Sequence, residues 1–371
     1  MERRTVEVRA GAAVEVRASL KRVVDTRGWI SADLHVHAAP SFDAPVLLAD
    51  RVRSLAAVDV QVAAATDHNR LTDYGPTIRG MGLERRLASI IGNEVTTRDV
   101  RLGHFNAFPL AAGAAPVPVD QLPPAGLFAA MRAGGKPGEP MVVQVNHPRM
   151  GDIGYLDLLR MDERDVAGWR ARAPLADLGF EALEVFNGDH YADVPKVERA
   201  MRDWYALLDA GLHIVATGNS DTHKVTFQEA GVPRNWVAVP DDDPGAFDER
   251  AFIAAVRAGR VIVSSGPFVT LLVAGQPIGA TVAAGTVPVE IEVQAPPWID
   301  VAHVELLRRG RVIRSWHGPF AGDVRRLREQ LDLEVATGDW LLVVVRGEAE
   351  MAPLHRSGAR PFAFTNPVWV R

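Results

Sequence analysis

The chain of 371 residues contains no cysteine. This absence excludes disulfide bonds and thiolate metal ligands, so any metal ion must be held by histidine, aspartate or glutamate side chains. It leaves the cellular compartment open, because a chain without cysteine tolerates oxidising and reducing surroundings alike.

Long runs of apolar or basic residues are also missing. No stretch approaches the ~20 apolar residues of a membrane-spanning helix, and the opening residues, MERRTVEVRA, lack the apolar core of a signal peptide. The net charge of −5 argues against nucleic acid or an anionic membrane as the main partner. We therefore expect a soluble protein that acts on a small-molecule substrate, with its localisation and oligomeric state left open.

Residues 5–24 alternate valine with charged residues around Gly11. This alternation predicts two short, half-buried strands. Because two short strands bury no core of their own, we expect residues 1–28 to join the C-terminal sheet.

From residue 29 onward, short apolar runs alternate with helical patterns, of which 47–58, 194–210 and 248–258 are the clearest. Apolar strands that alternate with helices indicate a parallel sheet covered by helices, and seven such repeats indicate a barrel. The seven runs are 30–37, 60–69, 87–94, 104–110, 141–148, 182–188 and 213–223.

After residue 268 the helical signal nearly vanishes, and apolar and polar residues alternate between turns. This pattern predicts an antiparallel β-sandwich over residues 269–371, with a loop or a short helix at 322–334. The whole chain is therefore expected to be an α/β protein, with a barrel at 29–268 followed by the sandwich.

The segment ADLHVH places Asp33, His35 and His37 at alternate positions. Because a β-strand presents alternate side chains on one face, one carboxylate and two imidazoles are expected to point the same way. Asp221 and His223 repeat this spacing. A cation in front of these side chains is the simplest reason for lining them up.

Other side chains of the same kinds fall at the ends of the predicted strands. In parallel α/β barrels the active site lies at the carboxyl ends of the strands. Burying so many carboxylates and imidazoles without a cation would cost several kcal/mol for each uncompensated charge, so the pattern predicts metal binding. The residues concerned are His35, His37, Asp67, His68, Glu94, His147, Asp221 and His223, with His104 opening the fourth run.

The motifs that hold these residues resemble the polymerase and histidinol phosphatase (PHP) superfamily of metal-dependent hydrolases. In chain order they are DLHVH, ATDHN, GNE followed by GHFN, VNHP and GNSDTH. The segments DTRGWISADLHVHAAPS, TDYGP, SSGPF and PFAFTNPVWV are similar to the branch named after carbaryl hydrolases. The resemblance covers nearly the whole chain, and it implies a distorted seven-stranded (β/α)7 PHP barrel with up to three clustered metal ions.

Carried over residue by residue, the resemblance implies three ligand sets for two or three divalent ions of Zn, Mn or Fe. The first set is His35, His37, Glu94 and Asp221; the second is His104 and His147 with Glu94 as a bridge; the third is Asp43, His68 and His223. Many relatives have histidine where this chain has Asp43. A harder, anionic oxygen ligand is expected to change the identity or the occupancy of the third ion.

The same resemblance implies roles for residues around the ions. Asp33 and Asp67 are expected to orient ligands or backbone groups, and Asp221, His223 and His68 to serve in catalysis. Five residues beside the motifs are candidates for substrate contact, with a solvated rim as the equal alternative: Arg149, Asn187, His190, Tyr191 and Lys224.

The reaction expected from these ligands is hydrolysis by a hydroxide held between two cations about 3.5–4 Å apart. A phosphoester is the leading substrate, as is usual in the broad superfamily. A carbamate, ester or amide is the closest alternative, because the same hydroxide attacks phosphorus or a carbonyl carbon. Two further alternatives are a metal-stabilised binding module, with the sandwich as the functional part, and a proofreading nuclease, which the acidic balance disfavours.

Overall fold

The computed structural model describes residues 5–19, 21–98, 102–119, 123–173, 176–190, 192–320 and 323–371 as a mixed α/β structure with several sheets. The strands are β1 Trp29–Val36, β2 Val62–Ala65, β3 Ala88–Ile91, β4 Asn93–Thr96, β5 His104–Phe108, β6 Val142–Val145, β7 Ala182–Asn187, β8 Val215–Asn219, β9 Arg234–Ala238, β10 Val261–Ser264, β11 Phe268–Val273, β12 Gln276–Pro277, β13 Thr281–Val282, β14 Gly285–Gln294, β15 His303–Arg308, β16 Arg311–His317, β17 Arg325–Val335, β18 Trp340–Arg346, β19 Phe362–Thr365 and β20 Val368–Val370. The α-helices are α1 Leu48–Ala57, α2 Gly75–Gly80, α3 Pro124–Ala133, α4 Tyr155–Leu158, α5 Val166–Arg172, α6 Val194–Asp209 and α7 Glu249–Arg257.

Each of the seven apolar runs between residues 30 and 223 contains a strand, and the third run contains two, β3 and β4. Gly92 separates these two strands. A Cβ atom at Gly92 would lie 3.1 Å from the carbonyl oxygen of Ala65 and 3.2 Å from that of Ala107. The missing side chain therefore lets the backbone pass between two neighbours as it crosses from one sheet to the next.

The seven predicted strands lie in two sheets. In the first sheet β3, β2 and β1 are parallel, and β9 and β10 follow beyond β1 as antiparallel strands. In the second sheet β6, β7 and β8 are parallel, whereas the β4–β5 and β5–β6 pairs are antiparallel. The link from β4 to β5 is too short for the crossover that a parallel pair requires, which explains the antiparallel pairing there.

Within the described residues no ladder joins β1 to β8, so a single closed seven-stranded barrel is not confirmed. The two strands do meet just beyond their ladders. The amide of His37 donates to the carbonyl oxygen of Thr222 over 3.2 Å, and the amide of Asp221 donates to that of His35 over 2.9 Å. These contacts hold the carboxyl ends of β1 and β8 side by side.

The helices predicted at 47–58, 194–210 and 248–258 are present as α1, α6 and α7. Helix α6 buries Val197, Met201, Trp204 and Leu208 along one face. The Trp204 indole N–H donates to the carbonyl oxygen of Ile214 at 2.8 Å, which fixes the helix against the start of β8. No helix in the described ranges is both long and apolar enough to span a bilayer.

The C-terminal strands form a sandwich-like pair of layers. One layer is β12–β11–β14–β17, and the other contains β13, β20, β18 and β19 with β15 and β16. The second layer continues through the β19–β10 pair into the first sheet. The prediction of a loop or short helix at 322–334 was wrong, because most of this segment is β17. Its charged residues alternate with leucines, of which Leu327 and Leu333 are buried, and it pairs with β14 along nearly its whole length.

The prediction of two N-terminal strands was also wrong, since the described residues of 5–24 form none. Val6, Val8, Val14 and Val16 are exposed, from 45% for Val6 to 80% for Val8. Alternation alone forms no stable strand where no sheet edge completes its hydrogen bonds. Contacts with the rest of the molecule include the Asp25 amide, which donates to the side chain of Gln294 at 3.0 Å.

The side chain of Asn366 ties the C-terminal strands to β8 and β10. It is fully buried, accepts from the Ala216 amide at 2.8 Å, and donates to the carbonyl oxygens of Ala216 and Val261, each at 2.9 Å.

Replacing Asn366 with Leu keeps a similar volume and removes the acceptor of the Ala216 amide and two side-chain donors. The Val261 carbonyl oxygen keeps its bond from the Asn366 backbone amide. We expect Asn366→Leu to lower the free energy of unfolding by about 1–3 kcal/mol. Urea denaturation measures the change, with Gln276→Leu at an exposed position as the control. An unchanged midpoint for Asn366→Leu would contradict the structural role of this amide.

Candidate metal centre

All nine residues predicted as metal ligands come together in one group, which we name the histidine–carboxylate cluster. Each of them lies within 3.6 Å of at least one other member. The members are His35, His37, Asp43, His68, Glu94, His104, His147, Asp221 and His223.

Glu94, in β4 just after the sheet crossing, lies at the centre of the cluster and is 1% exposed. Its Oε1 is 3.3 Å from His35 Nε2 and 3.2 Å from His104 Nδ1. Its Oε2 is 3.4 Å from His37 Nε2 and 2.7 Å from His68 Nδ1. Oε1 therefore faces His35 and His104, and Oε2 faces His37 and His68, a division that cuts across the predicted first ligand set.

Asp221 faces the same imidazoles from the β8 side. Its Oδ1 is 3.1 Å from both His35 Nε2 and His37 Nε2, while its Oδ2 accepts from the amide of Asn187 at 3.1 Å. The backbone of Asp221 has a φ of 50°, a left-handed conformation that non-glycine residues rarely adopt. Strained backbone of this kind recurs at functional sites.

Hydrogen bonds determine which nitrogen of the two β1 imidazoles faces the cluster. His35 Nδ1 donates to Glu184 Oε1 at 2.9 Å. His37 Nδ1 donates to the Ser41 hydroxyl at 2.9 Å, and that hydroxyl donates to Asp67, also at 2.9 Å. On the neutral rings the Nε2 atoms therefore carry the lone pairs and point inward, which is the tautomer that a metal-ligating histidine adopts.

Four buried atoms at the centre have no hydrogen-bond partner in the described part of the chain: His35 Nε2, His37 Nε2, Glu94 Oε2 and Asp221 Oδ1. Buried polar atoms nearly always have a partner, and leaving one without costs about 1–3 kcal/mol. A divalent cation placed among these atoms would satisfy all four. The residues present therefore fit a metal ion.

Burial and neighbouring charges shift the pKa values of three residues at the centre of the cluster. Burial opposes protonation of His35, but three neighbouring carboxylates, Asp221 first, raise its pKa well above the ordinary value. Burial, helped by the adjacent His223 ring, lowers the pKa of His37 well below it. Burial works against ionisation of Glu94, yet the imidazoles around it, His68 first, hold its pKa well below the usual range. A proton on His35 therefore occupies the place that a cation would take.

The outer side of the cluster is more open. Asp43 Oδ2 is 3.2 Å from His68 Nε2 and Asp43 Oδ1 is 3.5 Å from His223 Nε2, with the Asp43 side chain 39% exposed. His147 Nε2 lies 3.6 Å from Glu94 Oε1. The structure thus brings together the residues predicted for the second and third sets, and Asp43 is partly exposed whereas Glu94 and Asp221 are buried.

Asp33 is fully buried and accepts from the hydroxyl and amide of Ser220 at 2.5 and 3.1 Å and from the Gly231 amide at 2.9 Å. It therefore orients backbone beside β8. Asp67 acts on the His37 ring through Ser41, as described above. Burial raises the pKa of both carboxyl groups.

Sequence reasoning missed Glu184 and Asn146 as site residues. Besides the His35 ring, Glu184 accepts from the His147 amide at 2.8 Å. Asn146 donates to Glu94 Oε1 at 2.9 Å. The one signal available for Glu184 was a carboxylate in the middle of the apolar run ALEVFNG, and for Asn146 its place beside His147.

Arg51 of α1 was missed as well. It is fully buried, and its guanidinium donates to the carbonyl oxygens of His37 at 2.7 Å and Thr222 at 3.0 Å. No carboxylate lies within ion-pair distance of it in the described ranges. Arg51 thus bridges the two turns that carry His37 and Asp221, and it places a buried positive charge behind an anionic cluster.

The residues predicted to contact substrate have different environments. All five N–H donors of Arg149 bond to protein acceptors, including Asp203 at 2.6 Å, and its side chain is 6% exposed. Asn187 is buried, and its side-chain amide donates to Asp221; protein contacts therefore hold both residues, and their contact with substrate stays a prediction. Lys224 is exposed beside His223 and His190 is half-buried. Tyr191 lies outside the described residues.

A cleft of about 940 Å³ opens beside His68. Phe42, Leu71, Pro116 and Val119 give its wall an apolar surface, and Arg70 and Arg98 add positive charge. His68 belongs to the cluster and lines this cleft, so the cleft and the cluster adjoin.

No protein-family model and no curated protein sequence matches the chain. A two-domain protein of Bacteroides vulgatus containing a predicted PHP-like metal-dependent phosphoesterase is similar in structure, with 15% identity over 95% of this chain and 100% of that chain and a TM-score of 0.49. A candidate metal-dependent phosphoesterase of Bifidobacterium adolescentis has 14% identity over 54% of this chain and 90% of that chain, with a TM-score of 0.36. A lesion-specific endonuclease of Pyrococcus furiosus has 13% identity over 62% and 56%, with a TM-score of 0.37. TM-scores below 0.5 leave these likenesses too weak to assign a reaction.

Replacing Glu94 with Gln keeps the shape of the side chain and removes the charge shared by the imidazoles. We expect Glu94→Gln, loaded with excess Zn²⁺ or Mn²⁺ and desalted, to retain at least one ion fewer per chain than the wild type. Mass spectrometry of the elements in the protein measures this, with Glu348→Gln at a 72% exposed side chain as the control. Equal metal content in both variants would remove Glu94 from the ligand set.

Replacing Arg51 tests the bridge between the two turns. We expect Arg51→Leu to weaken metal affinity by about 10–100-fold, because it frees both ligand-bearing turns. Arg51→Lys keeps the charge and one donor and is expected to recover part of the loss. Competition with a fluorescent chelator measures affinity; a wild-type value for Arg51→Leu would limit Arg51 to a packing role.

Proposed function

We propose that this protein is a metal-dependent hydrolase of the PHP type, with its metallohydrolase barrel at residues 29–268 and a sandwich at 269–371, and that it acts on a phosphoester. The observation that carries the proposal is the convergence of nine ligand-type side chains on a centre where four buried atoms lack partners. The inward-facing lone pairs of His35 Nε2 and Asp221 Oδ1 lie 3.1 Å apart and need a proton or a cation between them.

In this proposal two or three ions of Zn, Mn or Fe occupy the cluster. His35, His37, Glu94 and Asp221 hold the first ion, and His104, His147 and Glu94 hold the second. Asp43, His68 and His223 hold the third. Imidazole and carboxylate donors without thiolate suit all three metals.

When bound, such ions would activate water as a nucleophile and polarise the bond under attack. The chain contributes orientation. Glu184 and Ser41 fix the rings of His35 and His37, and Asn187 holds Asp221 so that its free oxygen faces the cluster. At the open side, His223 donates from Nδ1 to the carbonyl oxygen of Asp221 at 2.8 Å, which leaves Nε2 toward the mouth. Where no ion occupies the third set, His223 Nε2 is the atom that can hold a proton for the leaving oxygen.

Hydrolysis of a carbamate or an aryl ester is the second candidate, in line with the resemblance to the carbaryl-hydrolase branch. The apolar surface of Phe42, Leu71 and Pro116 in the cleft beside His68 supports it. Phosphoester and carbamate hydrolysis need the same nucleophile and differ in the group that the cleft must accept. A substrate panel therefore separates them.

We expect metal-loaded protein to hydrolyse members of a panel of phosphomonoesters, phosphodiesters, carbamates and aryl esters, with phosphoesters turned over fastest. His35→Ala should lower kcat by more than about 100-fold, because it removes a residue at the centre of the cluster. His303→Ala, a half-buried histidine of the sandwich, serves as the control. A preparation with full metal content that hydrolyses no member of the panel would contradict the proposal.

A further inference from the structure

The cleft beside His68 differs from the rest of the site in having an exposed aromatic ring at its inner end. Phe42 is 66% exposed, and its ring lies 4.8 Å from the ring of His68 with the two planes 26° apart. Its chain neighbours are fixed, since Ser41 bonds to the His37 ring and Asp43 faces His68 and His223. The Phe42 ring is therefore held at the mouth of the cluster with most of its apolar surface in water.

Two cationic side chains share this wall. The guanidinium carbon of Arg98 lies 4.6 Å from the centre of the Phe42 ring, a cation–π contact. Arg70 lines the same cleft. Neither arginine forms an ion pair with a carboxylate in the described ranges, unlike Arg149 with Asp203.

One carboxylate, that of Asp73, stands against the positive charges of Arg70 and Arg98 in the described part of the wall. Asp73 is the one carboxylate that lines the cleft among the described residues, and its Oδ1 accepts from the amide of Gly75 at 2.8 Å. Among the described residues, the wall thus has two cationic side chains against one carboxylate, beside apolar surface. A ligand suited to it combines a ring with a negative charge.

We propose that this cleft binds the part of the substrate beyond the scissile bond, and that this part is an aryl group bearing a second anionic substituent. Phe42 contacts the ring, and Arg98 and Arg70 pair with the anion. The proposal rests on the proposed function, because the cleft leads to the histidine–carboxylate cluster. It adds the substrate class: a doubly anionic aryl ester rather than a simple alkyl ester.

The dimensions of the cleft agree with such a ligand. Its volume of about 940 Å³ lies at the upper end of pockets that enclose a small organic molecule, ~300–1,000 Å³. Phe42 contacts both His68 and Arg98, so the cation lies one ring away from the cluster. An aryl group laid along Phe42 would direct an anionic substituent on its far side toward Arg98.

Binding of three non-hydrolysable phosphonates to zinc-loaded protein tests the proposal without relying on turnover. The probes are methylphosphonate, phenylphosphonate and 4-carboxyphenylphosphonate, and isothermal titration calorimetry gives each Kd. We expect the phenyl group to tighten binding roughly 3–10-fold over methyl, and the carboxylate to add a similar factor. Phe42→Ala should abolish the first gain, and Arg98→Gln, alone or with Arg70→Gln, should abolish the second.

Two control variants carry matched changes outside the cleft: Trp298→Ala at an exposed aromatic ring and Arg314→Gln at an exposed arginine of β16. Both are expected to keep the wild-type order of affinities at equal metal content. Equal Kd values for the three phosphonates, absence of binding, or gains that survive Phe42→Ala and Arg98→Gln would overturn the inference. Failure of the hydrolase proposal is recognised separately, as bound phosphonate without turnover of any panel substrate.

Discussion

The burial of one carboxylate, Glu94, among imidazoles is the interaction on which the rest of the site depends. Five histidine rings lie within 3.6 Å of its two oxygens, and the side chain is almost completely removed from water. An ion in such a place is stable only when opposite charge and hydrogen bonds compensate it. Protons on the imidazoles supply that charge in the absence of metal, and divalent cations supply it better, because they also satisfy the unpaired atoms of His35, His37 and Asp221.

The fold positions this carboxylate and the residues around it. Gly92 lets the chain cross between the two sheets, and Glu94 follows two residues later, so the crossing carries the carboxylate into the space between the sheets. The carboxyl ends of β1 and β8 are held together by backbone hydrogen bonds and by Arg51, which brings His35, His37 and Asp221 to the same point. Outer residues such as Glu184 and Ser41 then fix the ring tautomers. The side-chain orientations depend on the contact between β1 and β8, and that contact has its effect because the crossing at Gly92 brings Glu94 to the same place.

The central ligand-type residues could be predicted from the sequence because their signal is local. The alternation in DLHVH, and a carboxylate or imidazole directly after an apolar run, can be recognised from the strand period and from the position of active sites at strand ends.

Arg51 and Glu184 carry no such signal, since their roles come from contacts with segments far away in the chain. Arg149 and Asn187 were named as candidates for substrate contact because they stand beside motifs, and sequence proximity alone could not show that their side chains bond to Asp203 and Asp221. The N-terminal alternation failed for the same reason: a strand needs a partner edge, which the pattern alone does not supply.

Anomalous diffraction at the zinc and manganese edges, on crystals grown with excess metal, tests the central claim most directly. The account predicts at least two peaks in the cluster, each within about 2.0–2.6 Å of its ligand atoms, with one oxygen of Glu94 on each. One peak should lie against His35, His37 and Asp221 and the other against His104 and His147. Well-ordered crystals at full metal load that show no peak there, or that show Glu94 away from His35 and His147, would contradict it.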